Sequence, residues 1–112
     1  MKYKMICIDM DGTLLGKRKR ISERNKNAIK QAHDKGIEIV VTTGRLYNNA
    51  AYFSKLLGVD SPVIAANGAI VIDQKNNEVI YECGIPKDEC IKILKIFKVI
   101  KAKPRIEIIV PV

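Results

Sequence analysis

Two acidic side chains directly after an apolar run are the residues best suited to chemistry. Asp9 and Asp11 follow the apolar residues 5–8 and precede Gly12, which permits a sharp turn. Two carboxylates this close repel each other unless a cation lies between them or one of them holds a proton. Magnesium suits such a pair, because it prefers a few carboxylates together with water and phosphate oxygens. The pattern predicts a magnesium site, although acidic residues are also common in ordinary turns.

A second group of polar residues follows the next apolar run. Thr43, Gly44 and Arg45 come directly after residues 37–41, where a helix is expected to begin. A hydroxyl and free amides at a helix N-terminus form an anion site, and the alternative for Thr43 is a plain N-cap. Arg45 either faces a substrate or lies exposed in the first helical turn. Asn67 either donates to a substrate or belongs to an Asn-Gly turn.

The elements that must position these residues are strands and helices in alternation. The runs at residues 5–8, 37–41 and 62–66 are continuously apolar, which is typical of strands buried on both faces of a parallel sheet. Ser22 and Gly36 are the expected cap residues of the first helix, and the second helix is expected to end at Gly58. In an open parallel sheet, ligands bind at the carboxyl ends of the strands, which is where both polar groups would lie.

The pattern changes after residue 68. Residues 69–72 and 78–82 flank a polar turn and predict a β-hairpin. Residues 87–100 are expected to be helical, and residues 105–110 to form a last strand. The predicted fold class is therefore α/β: a Rossmann-like parallel sheet with flanking helices, followed by a β-hairpin.

Three motifs in this order resemble those of a known family. DMDGTLL at residues 9–15 is similar to motif one of the haloacid dehalogenase (HAD) superfamily of phosphohydrolases. VTTGR at residues 41–45 and AANGAIV at residues 65–71 resemble its Cof-type branch, of cap class IIB. The resemblance implies that the sheet is incomplete, that residues 1–82 are part of a HAD-like core and that residues 83–112 begin an α/β cap domain.

The resemblance also implies roles for individual residues. Asp9 would be the nucleophile that forms an aspartyl-phosphate, and Asp11 the general acid and base. The Asp9 side chain and the Asp11 carbonyl would hold Mg²⁺. The backbone of Met10, with Thr43 and Gly44, would bind the phosphate, and Arg45 and Asn67 would contact the rest of the substrate. The implied activity is a magnesium-dependent phosphatase acting on a small phosphorylated metabolite.

Composition limits the rival functions. Lys and Arg number 20 against 12 Asp and Glu, giving a net charge of +8, which suits anionic ligands in general. Aromatic residues are only 5% and Trp is absent, so the composition does not favour nucleic acid. No apolar run is long enough to span a membrane, and three cysteines without a CxxC pair indicate a reduced, cytoplasmic protein. Residues 17–20, all basic, are expected to form a solvated loop.

Two family motifs, a lysine and an acidic pair, are not found in the 112 residues. We therefore expect a truncated enzyme with little activity alone, and a first strand with one unpaired edge that could support a homodimer. The alternatives are a non-catalytic, HAD-like binding or self-associating module and a metal-dependent glycosyltransferase, in which DxD also follows a strand. The position of DxD on the first strand, with GTLL and TGR behind it, disfavours the glycosyltransferase.

Overall fold

A five-stranded mixed sheet organises the chain. The computed structural model describes residues 2–104, and the predicted strand at residues 105–110 lies outside them. In chain order the elements are β1 (Met5–Asp9), α1 (Glu23–Asp34), β2 (Glu38–Thr42), α2 (Tyr47–Lys55), β3 (Val63–Ala65), β4 (Ile70–Asp73), β5 (Glu78–Glu82) and α3 (Lys87–Val99). Two short 3-10 turns, Lys17–Lys19 and Ala66–Gly68, lie between them. The predicted α/β class is confirmed.

Neighbouring strands follow the order of the chain, from β1 at one edge to β5 at the other. β1 pairs with β2 and β2 with β3 in parallel, while β3, β4 and β5 run antiparallel. The register sets Asp9 opposite Thr42. Because parallel strands bring their carboxyl ends to one edge of the sheet, Asp9 and Thr43 emerge on the same side of the fold.

The first helix begins and ends where its cap residues predict. The Ser22 hydroxyl accepts a hydrogen bond from the Asn25 amide at 3.1 Å, which satisfies one of the unpaired donors of the first turn. At the other end Gly36 has φ of +81°, a left-handed conformation that is favourable for glycine. Both caps are therefore confirmed.

The start of α2 corrects an expectation. Thr43 and Gly44 do not open the helix, because its N-cap is Leu46 and its first residue is Tyr47. The intervening residues are tied to the end of β3 instead: Asn67 donates its amide to the Thr43 carbonyl at 3.1 Å and Ala66 to that of Arg45 at 2.8 Å. Both the plain N-cap and the exposed first-turn arginine are therefore wrong.

The core lies between β2, β3 and β4 and the helices α1 and α2. Ile39, Val41, Val63 and Ile70 are all at most 1% exposed. β1 differs, since Met5 is 56% and Ile6 38% exposed, so the prediction that this strand is buried on both faces is wrong. Within residues 2–104, β1 has a strand on one side only.

The predicted hairpin and third helix are both present. The Asp73 side chain closes the hairpin turn by accepting from the Lys75 amide at 2.9 Å and from the Asn76 side chain at 2.8 Å. α3 has no buried residue, and Ile96 on its surface is 61% exposed. No helix in the described part of the chain has the length and apolar character needed to cross a membrane.

Candidate active site at the ends of the parallel strands

The loop after β1 presents Asp9 to solvent and folds back on itself. Gly12 has φ of +77°, which confirms its role in the sharp turn. The Asp9 carbonyl accepts from the Leu14 amide at 3.1 Å, and the Met10 carbonyl accepts from the Leu15 amide at 2.8 Å. Leu14 and Leu15 are each 4% exposed, so they anchor the loop to the core. The Asp9 carboxylate stays accessible on a fixed backbone.

Two neighbours of Asp9 behave differently. Thr13 donates its hydroxyl to the Asp9 carboxylate at 3.3 Å, which orients that side chain. Met10 is completely buried, so its side chain belongs to the core and not to a ligand site. The role of Thr13 was missed from the sequence, although its place four residues after Asp9 in DMDGT was a signal for it.

Asp11 is bound by the second motif. The Arg45 guanidinium donates Nε and Nη2 to the two oxygens of the Asp11 carboxylate, each at 2.6 Å. This bidentate pair lowers the pKa of Asp11 below its ordinary value, mainly through the hydrogen bond and with a smaller contribution from the charge of Lys19. The same pair raises the pKa of Arg45. In this arrangement Asp11 is ionised and can accept a proton but has none to donate.

Arg45 is held from two further directions. Its Nη1 donates to the Asn49 side-chain oxygen one turn along α2, and its guanidinium lies 4.9 Å from the ring centre of Phe53. The side chain is only 17% exposed. Asn49 and Phe53 were missed as members of the site, and the only available signal was their helical spacing from Arg45.

Thr43 and Gly44 form a turn beside Asp9 and Asp11. The Thr43 amide donates to the Ile64 carbonyl at 2.9 Å, and its hydroxyl accepts from the Arg45 amide at 3.0 Å. A hydroxyl oxygen that accepts one hydrogen bond still has a proton to donate. Thr43 is 6% exposed, so its position is fixed by packing as well.

Asn67 lies against Gly44 at the end of β3. A Cβ placed on Gly44 would come 2.7 Å from the Asn67 side-chain oxygen, so any larger residue here would require the Asn67 side chain to move. Ala66, Asn67 and Gly68 have φ of +49°, +55° and +93° in succession. The turn predicted for Asn-Gly is present, and such a left-handed run costs free energy that the bonds from Ala66 and Asn67 must offset.

The donors for a metal ion are few. The Asp9 carboxylate and the Asp11 backbone carbonyl supply oxygen atoms, which is the donor type that Mg²⁺ prefers. Within residues 2–104 no group of three His, Cys, Asp or Glu side chains comes together. The donor set therefore fits an oxygen-liganded ion that takes further oxygens from water and phosphate.

Comparison with known proteins identifies the family. The model of the haloacid dehalogenase-like hydrolases matches residues 6–110. The phosphatase YwpJ of Bacillus subtilis is 46% identical over 70 residues, which are 62% of this chain and 25% of that protein. The 5-amino-6-(5-phospho-D-ribitylamino)uracil phosphatase YcsE of the same bacterium is 42% identical over 76 residues, covering 68% and 30%.

A solved structure agrees with the sequence comparisons. A haloacid dehalogenase-like hydrolase from B. subtilis superposes with a TM-score of 0.78 at 37% identity, covering 88% of this chain and 34% of that one. The chain thus spans about a quarter to a third of the length of these relatives. With its motifs at the ends of β1, β2 and β3, this chain belongs to the haloacid dehalogenase-like hydrolases, in their Cof-type branch.

Proposed function

We propose that the chain forms the phosphate-transfer half of a magnesium-dependent phosphatase that acts on a small phosphorylated metabolite. The observation that carries this proposal is the convergence of two carboxylates, Asp9 and Asp11, with the Thr43–Gly44 turn at one edge of the sheet. Relatives that are phosphatases support it, including one whose substrate is a phosphorylated ribityl compound.

The first step is a transfer to Asp9. A carboxylate oxygen of Asp9 attacks phosphorus, the bond from phosphorus to the ester oxygen breaks, and an aspartyl-phosphate forms. The leaving alkoxide takes a proton from Asp11. Because Asp11 is ionised in its ion pair with Arg45, this step requires the guanidinium to release the carboxylate when substrate binds. The released carboxylate must then take up a proton from solvent before it can donate one to the leaving oxygen.

The second step restores the enzyme. Asp11 accepts a proton from a water molecule while the water oxygen attacks phosphorus, and the bond from Asp9 to phosphorus breaks to release inorganic phosphate. During both steps the Thr43 hydroxyl, with the amides of Gly44 and Met10, donates to the phosphoryl oxygens. Bound Mg²⁺, held by Asp9 and the Asp11 carbonyl, would supply positive charge that stabilises the transferring group.

The rest of the proposed enzyme follows from the family. We place the partial core in residues 1–82 and the start of the cap in residues 83–112. β5 ends at Glu82 and α3 has no buried residue, which supports a boundary there.

Covalent labelling tests the function directly. The chain is mixed with Mg²⁺ and a small aryl phosphate, quenched in acid, and searched by mass spectrometry for a phosphoryl group on the peptide containing Asp9. We expect labelling that is lost in Asp9→Asn and retained in Asp60→Asn, a surface carboxylate at the opposite end of β3. Turnover should lie far below the roughly 10 per second that is typical of enzymes. Equal labelling of Asp9→Asn and the unmodified chain would refute the proposal.

Metal binding supplies an independent measurement. Titration calorimetry should detect weak Mg²⁺ binding, because two protein ligands hold this ion poorly without phosphate oxygens. Binding should weaken further in Asp9→Asn and Asp11→Asn. Equal affinity in the unmodified chain and Asp11→Asn would show that the Asp11 side chain does not contribute to metal binding, since this variant keeps the Asp11 backbone carbonyl.

A further inference from the structure

A cavity of about 480 Å³ opens next to the candidate active site. Lys19, Arg45 and Asn49 line it together with Gly44 and Leu46. Arg45 forms an ion pair with Asp11. In the proposed function, Asp11 donates a proton to the leaving oxygen of the substrate. The cavity therefore adjoins the side of the site where the non-phosphate part of a substrate would lie.

Lys19 reaches this cavity from the basic loop of residues 17–20. Its amide donates to the Gly16 carbonyl at 3.1 Å, and the Gly16 amide donates to the Arg20 carbonyl at 3.0 Å. These bonds close the loop and hold Arg18 and Lys19 at φ of +61° and +52°. A non-glycine backbone kept in this region costs free energy, and such strain is concentrated at functional positions.

Lys19 is also the available cation of the cavity. Arg45 is occupied by Asp11 and Asn49, whereas Lys19 forms no ion pair within the described part of the chain. Lys19 shares the lining of this cavity with Arg45, the partner of Asp11, so its ammonium adjoins the site. The cavity therefore has one uncompensated positive charge.

The surface behind Lys19 extends the positive potential. Lys19 also lines a second cavity of about 480 Å³, whose other cations are Arg18, Arg20 and Lys26. Glu23, the acidic residue of that cavity, is paired with Lys26 at 3.3 Å. An anionic group near Lys19 is thus close to the cations that line both cavities.

We infer that Lys19 selects substrates whose leaving group carries an anion of its own, such as a carboxylate or a second phosphate. This inference rests on the proposed function, because it assigns the far end of a substrate whose ester phosphate lies at Asp9 and Thr43. Lys19 is a specificity-determining residue in this scheme. It contacts the leaving group and takes no part in bond making or breaking.

A matched pair of ligands tests the inference. Glycerol 3-phosphate and 3-phosphoglycerate share a phosphate ester and differ in a neutral or an anionic far end. Their affinities for the full 112-residue chain are measured by NMR titration with Mg²⁺ at about 0.15 M salt, where long-range attraction is screened. We expect 3-phosphoglycerate to bind about fivefold more tightly, which is the effect of a favourable, partly exposed ion pair.

Two variants that each remove one positive charge, Lys19→Gln and Lys17→Gln, distinguish the effect of Lys19 from that of the overall positive charge. Lys19→Gln should reduce the ratio of the two affinities to about one, and Lys19→Arg should keep it. Lys17→Gln carries the same charge change in the same turn, and Lys17 lines neither cavity, so it should keep the preference. Inorganic phosphate should bind equally to all of these proteins.

Each alternative result has a definite meaning. Equal affinity of both ligands for the unmodified chain, or a preference that survives Lys19→Gln, overturns the inference and leaves the proposed function standing. If Lys19→Gln weakened the binding of inorganic phosphate as much as that of 3-phosphoglycerate, the inference would also be overturned, because Lys19 would then bind the transferred phosphate. Failure of all three ligands to bind the unmodified chain refutes the proposed function together with the inference.

Discussion

β1 and β2 have the same length and a similar apolar character, yet only one of them is buried. They are paired residue for residue, from Met5 opposite Glu38 to Asp9 opposite Thr42. β2 has strands on both sides and packs against the core, whereas β1 has its second side open within residues 2–104. An apolar run therefore indicates that a strand is suited to burial. Whether the strand is buried depends on whether neighbouring strands and helices are present to cover it.

The comparison has an energetic consequence for the site. Burial of an aliphatic side chain contributes about 1.5–3 kcal/mol relative to an exposed one, so the stability is concentrated in β2, β3 and β4. Thr43 and Asn67 follow these well-packed strands. Asp9 follows the weaker strand and depends on Leu14 and Leu15, which anchor the loop behind it.

Truncation of one aliphatic side chain in each strand should give the largest difference. Ile39→Ala in β2 removes a side chain that is 1% exposed and should lower the free energy of unfolding by about 2–5 kcal/mol. Ile6→Ala in β1 should cost less than about 1 kcal/mol, because that side chain is already 38% exposed. Urea unfolding of both variants is the measurement. Equal losses would mean that β1 is packed as β2 is.

A charge on the open strand should have the next largest effect. We expect the chain to self-associate at micromolar concentration through β1, because unpaired strand edges template pairing. Ile6→Lys should weaken this association about tenfold, which corresponds to about 1.4 kcal/mol. Sedimentation at several concentrations measures it, with Ile80→Lys in β5 at the other edge of the sheet as control. If Ile80→Lys weakened the association and Ile6→Lys did not, the contact would lie at β5 and the prediction would be wrong.

The contact between Gly44 and Asn67 should show a smaller coupling. Gly44→Ala places a methyl group 2.7 Å from the Asn67 oxygen, which must move. In a double-mutant cycle with Asn67→Ala, the two changes should be coupled by about 1 kcal/mol. Gly84→Ala, where no atom lies within 4 Å of the new methyl, should show no coupling to Asn67→Ala. Additive effects at Gly44 would contradict the close approach.

The pair between Asp11 and Arg45 should give the smallest change in stability. Its side chains are 54% and 17% exposed, and water screens such pairs, so Arg45→Gln should cost only about 0.5 kcal/mol at neutral pH. Because folding lowers the pKa of Asp11, the contribution is present above the ordinary pKa of an aspartate and is lost as the pH falls through the lowered value. Unfolding at several pH values should show this loss, and NMR should show a higher pKa for Asp11 in Arg45→Gln. An unchanged pKa would contradict the pairing.

Local signals predicted most of the fold. The apolar runs indicated every strand within the described residues, and Ser22 and Gly36 indicated the ends of α1, because caps act within one helical turn. The start of α2 was not predictable in this way, since the bonds that delay it come from Ala66 and Asn67 at the end of another strand.

The residues of the candidate site also divide into those that local motifs predicted and those that only contacts between distant segments reveal. Asp9 and Asp11 were evident from the motif, but the partner of Asp11 lies 34 positions away in Arg45 and is brought close only by the parallel pairing of β1 and β2. Lys19 belongs to a basic run that is typical of a solvated loop, and its place beside the site depends on how that loop closes. Contacts between distant segments are invisible to patterns that are read within a few residues.

The sequential order of the strands also bears on how the chain acquires its structure. Within residues 2–104, every strand after the first pairs with the strand made immediately before it. The connections from β3 to β4 and from β4 to β5 are short, so they cost little closure entropy and favour rapid pairing. The earlier pairings wait for the crossovers that contain α1 and α2. During synthesis, at about 5–20 residues per second, the sheet can grow one strand at a time as the chain emerges. The edge that carries Asp9, Thr43 and Asn67 is then assembled by the time residue 68 is free of the ribosome.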